Sequence, residues 1–202
     1  MISDSHEQKP MDGQHGERRE FDPSRFFESF VWVSRTLVLQ PRLFFRNLPT
    51  HAGLRQPLLF LVTTSFLAAL FIANYHGVGF QMFLSLMAAN IFSALIAGLV
   101  LHAIALKLSR TSAPLAATLR VICYASVVDI AAWIPIIGVV PYGYGLYLIF
   151  VGMQEVHTLS PRQAGFALMA IILVITVLVS TLVMLSPESI QEGLKLLDPQ
   201  QS

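Results

Sequence analysis

Residues 120–164, RVICYASVVDIAAWIPIIGVVPYGYGLYLIFVGMQEVHTLSPRQA, are almost wholly apolar, yet they carry two arginines, an aspartate and a glutamate and are cut by two proline–glycine breaks. A helix crossing a bilayer needs about 20 mostly apolar residues to traverse roughly 30 Å of hydrocarbon. Residues 117–134 and 136–156 supply two such passes, meeting at Pro135 and Gly138. The stretch is expected to be a transmembrane hairpin, with the rest of the chain anchoring or orienting it.

The remaining sequence fits that expectation. Hydrophobic residues make up 54% of the chain and charged residues 12%, about half the charge of an ordinary soluble domain. Three further apolar runs, at 57–75, 82–106 and 164–185, bring the expected total to five spans in an all-α polytopic membrane protein. Several separate runs, rather than one early run with a cleavage site, give no sign of a removable leader. Residues 1–22 are polar and too poor in apolar groups to offset the entropy of ordering, so a disordered tail is expected there. Residues 23–56 carry aromatic side chains and arginines in an approximate helical stripe, with proline breaks at Pro41 and Pro49. They suit an amphipathic anchor at the membrane interface or a short helix packed on the membrane domain. Residues 186–202 are a short polar tail.

Five spans place the two ends on opposite sides, and the loop charges alternate accordingly. Eight of the thirteen Lys and Arg residues precede Pro57, residues 75–81 have none, and Lys107 and Arg110 follow the second run. The hairpin turn has none and the next link has Arg162. The positive-inside rule then makes the N-terminus cytoplasmic and the C-terminus external.

Ionisable groups inside a membrane are costly and are read first as functional candidates. Arg120 lies 18 residues before Gly138 and Glu155 lies 17 after it, so the two share a depth, and a facing Arg120–Glu155 pair is expected. Asp129 falls near the bilayer centre, with Tyr147 at its mirror position. Arg120 is about 900° of helical turn and about 13.5 Å away from it, so Tyr147 or Asn90 must supply its hydrogen bond. Asp129 is then either a packing lock or a proton- or ligand-handling acid. Pro135, Gly138, Pro141, Gly145 and Gly152 read as turn and packing devices; the alternative is a locally unwound helix that admits a substrate. Ala94 and Gly98 offer another small-residue face for close helix contact.

No sequence signature of an enzyme is present: there is no nucleophile elbow, no pair of membrane aspartates and no phosphate-binding glycine loop. Cys123 is the one cysteine and is expected to be a packing residue. His6, His15, His102 and His157 lack metal-ligand spacing, with or without Glu155. No metal, cofactor or nucleic-acid partner is expected; the expected partners are the lipid bilayer and a protein or second copy held through small-residue helix faces.

The order of several short motifs resembles the Yip-domain family, five-span membrane proteins named for interaction with Ypt/Rab GTPases. They are Pro41-x-x-Phe-Phe45, Pro57 opening the first span, Tyr124-Ala-Ser126 leading to Ile134-Pro135-x-x-Gly138, and Gly152 followed by His157-x-x-Ser160-x-x-x-Ala164. The resemblance covers about residues 39–185. It implies a cytoplasmic N-terminus and a role in membrane organisation or trafficking rather than catalysis. Eukaryotic members carry Asp-Leu-x-Gly-Pro before the first span, where this chain has Gly53-Leu54-Arg55-Gln56-Pro57. That departure argues for a bacterial-type member in the cytoplasmic membrane over one in the ER or Golgi. The expected function is a non-enzymatic membrane scaffold, with a small proton-coupled permease using Asp129 as the alternative.

Overall fold

The computed structural model describes residues 20–109, 113–131, 133–134 and 139–184. The described residues form helices without strands. In order these are α1 (Phe26–Leu39), α2 (Pro41–Arg46), α3 (Arg55–His76), α4 (Phe80–Leu108), α5 (Leu115–Ala125), α6 (Val139–His157) and α7 (Pro161–Met184). Two 3₁₀ turns, Pro23–Arg25 and Ser126–Ile130, precede α1 and follow α5.

The helix ends follow local chemistry. The Asp22 carboxylate accepts from the Ser24 backbone and hydroxyl at 2.9 and 2.7 Å, capping the first 3₁₀ turn. Pro41 opens α2 and Pro57 lies in the first turn of α3, where the absent N–H costs no helical bond. Gly77, left-handed at φ 63°, ends α3. Ser160 and Gln163 form a reciprocal capping box at the start of α7, with bonds of 2.9 and 3.3 Å. The Gln163 amide also donates to the Leu108 carbonyl at 2.8 Å, satisfying an orphan acceptor at the end of α4.

α5 is the centre of the molecule. Every residue from Ala117 to Ala125 is buried, enclosed by α3, α4 and α6. Close approach is made possible by glycines on its neighbours. A Cβ at Gly152 would lie 2.5 Å from Val121, one at Gly145 2.9 Å from Val128, and one at Gly98 2.7 Å from Leu119. Gly145 and Gly152 are thus packing residues. The small-residue face at Gly98, read from sequence as a face for close helix contact, is filled by Leu119 of α5 in the same chain.

Among the described residues two helices, α3 and α4, are long and apolar enough to cross a membrane. The third expected span departs from a continuous helix: α5 gives way at Ser126 to a 3₁₀ turn. Here the Ser126 hydroxyl lies 2.7 Å from the Cys123 carbonyl, β-branched Val127 and Val128 follow, and Asp129 comes next, a combination that competes with helical bonding. The fourth run is an unbroken helix from Val139, so Pro141 sits in its first turn rather than in the hairpin turn. Pro135 and Gly138 lie outside the described residues.

α1 and α2 are docked on the bundle. Ser29, Val33 and Leu37 form the buried stripe of α1, and the Tyr144 hydroxyl of α6 meets the carbonyls of Leu37 and Val38 at 3.2 and 2.8 Å. The outer face keeps Phe27, Val31, Leu43, Arg35 and Arg42 exposed. The expected disordered tail extends too far: Glu20 and Phe21 are buried, Phe21 completely, because its ring packs edge-on to Phe60 with centroids 5.7 Å apart. Residues 1–19 lie outside the described set.

Candidate functional site

Polar side chains inside the bundle gather in three places, each joining separate helices. The first lies midway along α3, beside the broken end of α5. Asn90 donates its two amide hydrogens to Ser65 Oγ at 3.2 Å and Asp129 Oδ2 at 3.1 Å. Next to it, Thr64 and Ser126 meet hydroxyl to hydroxyl at 2.7 Å. Each hydroxyl has one proton. One donates to the other, and the second proton goes to a backbone carbonyl, Leu61 at 2.9 Å or Cys123 at 2.7 Å. The cluster fastens α3 and α4 to the point where the third segment loses helical bonding, which is where unsatisfied backbone is most costly in hydrocarbon. Of the two partners expected for Asp129, Asn90 is the one that bonds it. Tyr147 is 43% exposed and packs its ring 5.5 Å from Tyr144.

The second place is at the basic end of the bundle. Arg120 is completely buried. Its Nη1 pairs with Glu20 and its Nη2 donates to the Gly53 carbonyl. The Tyr124 hydroxyl, one helical turn on, donates to the same Glu20 oxygen at 2.9 Å and accepts from the Phe21 backbone at 3.4 Å. The expected Arg120–Glu155 pair is therefore absent. Glu155 faces Arg42 of α2 at 3.8 Å, with Arg42 largely exposed. Equal distance from the hairpin turn fixed the height of the two residues but not their direction around each helix, and α5 turns Arg120 towards the chain preceding α3.

The third place lies at the same end. His102 of α4 and His157 of α6 are bridged by the Thr118 hydroxyl, at 2.9 Å to His102 Nδ1 and 2.7 Å to His157 Nε2. A hydroxyl can donate to one ring only, so the other imidazole must donate to it, and the bridge orders the protons of both rings. The Ser109 hydroxyl adds a bond of 3.0 Å to the His157 carbonyl, tying the ends of α4 and α6. Glu155 takes no part, and no group of three His, Cys, Asp or Glu side chains suited to a metal occurs among the described residues.

Sequence reasoning picked out Asn90, Asp129 and Arg120 as interior polar groups but missed Glu20, Thr64, Ser65 and Thr118, and it took Tyr124 and Ser126 as family-motif residues without a hydrogen-bonding role. The hydroxyls carried a signal: Thr64-Ser65 and Ser126 are small polar residues placed to face a buried acid or amide. Glu20 carried none, since its surroundings in sequence are uniformly polar.

Comparison with curated proteins and with solved structures returns no match. A family profile, the Yip1 domain, matches residues 35–184, which includes α2 to α7, the Asn90–Asp129 cluster and Arg120. The chain accordingly belongs to the Yip1 domain family.

Proposed function

We propose that this chain is a non-enzymatic membrane scaffold that crosses the bilayer five times and organises it or recruits partners, in the cytoplasmic membrane of a bacterium. Its N-terminal end faces the cytoplasm and its C-terminal end the opposite side. α6 and α7 make the fourth and fifth crossings, and α5 with its 3₁₀ extension makes the third. The observation that carries the reading is how the interior polar groups are spent. Asn90, Asp129, Ser65, Thr64 and Ser126 bond to one another across helices, a pattern suited to locking helices together. The outer faces of α4 and α7 are apolar, as a lipid contact requires, and the exposed arginines of α1 and α2 gather at the end proposed to be cytoplasmic.

The test is reconstitution of the purified chain in liposomes, beside capture of tagged chain from native membranes. Wild type and Asp129→Asn are expected to pass neither protons nor solutes and to retain the same partners. A proton flux abolished by Asp129→Asn would overturn the scaffold reading. Reporters fused to the two ends are expected to report opposite sides of the membrane; activity on one side only would remove the five-span topology.

A further inference from the structure

The contact between Glu20 and Arg120 has an arrangement that helix packing does not call for. A completely buried arginine receives its carboxylate from a short segment ahead of the first helix, a hundred residues away in sequence. Arg120 and Tyr124 both direct donors at one oxygen of that carboxylate. The third nitrogen of the guanidinium, Nε, is buried with no hydrogen-bond partner. Glu20 thus leaves donors of the guanidinium over: Nη2 turns to the Gly53 carbonyl, and Nε, on the same edge, has no partner. The end of a guanidinium beside a phenol suits a tetrahedral oxyanion, whose several oxygens can engage Nη1, Nη2 in place of the Gly53 carbonyl, and the Tyr124 hydroxyl together.

We propose that Arg120 and Tyr124 form a binding site for a phosphate ester, the headgroup of an anionic phospholipid, and that Glu20 is a tethered substitute occupying it in the unliganded chain. The choice of a lipid rests on position. Gly53, whose carbonyl Arg120 bonds, is exposed ahead of α3, and the outer surface of α1 and α2 beside it combines the apolar Phe27, Val31 and Leu43 with exposed arginines. That surface belongs at headgroup depth, where phosphate is concentrated. Entry of the headgroup displaces Glu20 and withdraws Phe21 from its place against Phe60. The inference does not depend on the scaffold role.

Full-length chain in detergent is tested by native mass spectrometry for retained phosphatidylglycerol against phosphatidylcholine. Because occupancy scales with the open fraction of the site, Glu20→Gln is expected to raise that ratio about tenfold, and Glu20→Gln with Arg120→Gln to return it to the wild-type value. An unchanged ratio in a folded Glu20→Gln chain, or a rise that survives Arg120→Gln, overturns the proposal. Loss of fold in the variant leaves a second measurement on the native site. Gly53→Cys has open space around its side chain and Cys123 is completely buried, so a fluorophore attaches beside Arg120 alone. Micelles containing phosphatidylglycerol are expected to shift its emission where phosphatidylcholine micelles do not, and inorganic phosphate at the same concentration is expected to have no effect. An equal response to inorganic phosphate assigns the site to the free anion and overturns the lipid source. No response to either overturns the site.

Discussion

At the scale of single residues, the interior is held by groups that each serve two helices. Asp129 illustrates how charge and hydrogen bonding separate. Asparagine at 129 keeps an oxygen facing the Asn90 amide, so Asp129→Asn is expected to shift thermal unfolding in detergent by less than about 1 kcal/mol equivalent. Asp129→Leu leaves an amide hydrogen of Asn90 without an acceptor and is expected to cost about 1–3 kcal/mol. Equal losses in the two variants would mean that the charge, rather than the bond, matters. The Asn90–Asp129 contact was legible in the sequence because a span holds few polar groups and each must find another. The Glu20–Arg120 contact was not, because a polar leading segment gives no reason to single out one acid, and the depth argument along the hairpin pointed to Glu155. Height along a helix can be counted from sequence; azimuth depends on which neighbour the helix packs against.

At the scale of elements, α5 is set by what its neighbours lack. The missing side chains of Gly98 and Gly152 admit Leu119 and Val121 of α5, and that of Gly145 admits Val128 of the 3₁₀ turn that follows it, so the segment is gripped on two sides. Gly152→Ala places a methyl against Val121 and is expected to destabilise the fold by about 1–3 kcal/mol, and adding Val121→Ala is expected to recover much of that loss. A double variant no better than the single one would show that the strain lies elsewhere, for example against Phe45, whose ring is 3.3 Å from the same position. Ser160→Ala removes half of the capping box of α7 and is expected to cost about 1 kcal/mol, read as a lower unfolding temperature and faster amide exchange at the start of that helix. The proline at 161 marked this boundary in the sequence. The end of α5 was less visible: residues 117–134 have the composition of one continuous span, and only Ser126-Val-Val-Asp129 hinted that helical bonding would lapse there.

At the scale of the whole molecule, the sequence foretold a helical membrane protein from run length and composition alone, and the starts of α3, α4 and α7 lie within three residues of those expected. What it left open was which faces meet lipid and which meet protein, since aliphatic residues suit both. The structure separates exposed faces from enclosed ones. Phe92, Ile96 and Leu99 on α4 and Phe166, Met169 and Leu173 on α7 point outward, whereas Leu101 and Ala105 are enclosed. Single cysteines at the outward positions are expected to react with a lipid-soluble maleimide and not with a membrane-impermeant one, and cysteines at 101 and 105 with neither until the chain is denatured. Reaction of the outward positions with the water-soluble reagent would contradict a lipid-facing surface. The buried arginine at the midpoint of α5 also bears on how the protein is made. α5 is eleven residues long and carries an arginine, and a charge that would oppose insertion by about 2.5–3.5 kcal/mol at the centre of a span opposes it less near the end, where Arg120 lies. Glu20 precedes its partner by a hundred residues, so the acid has left the ribosome before the arginine is synthesised and is at hand to pair with it.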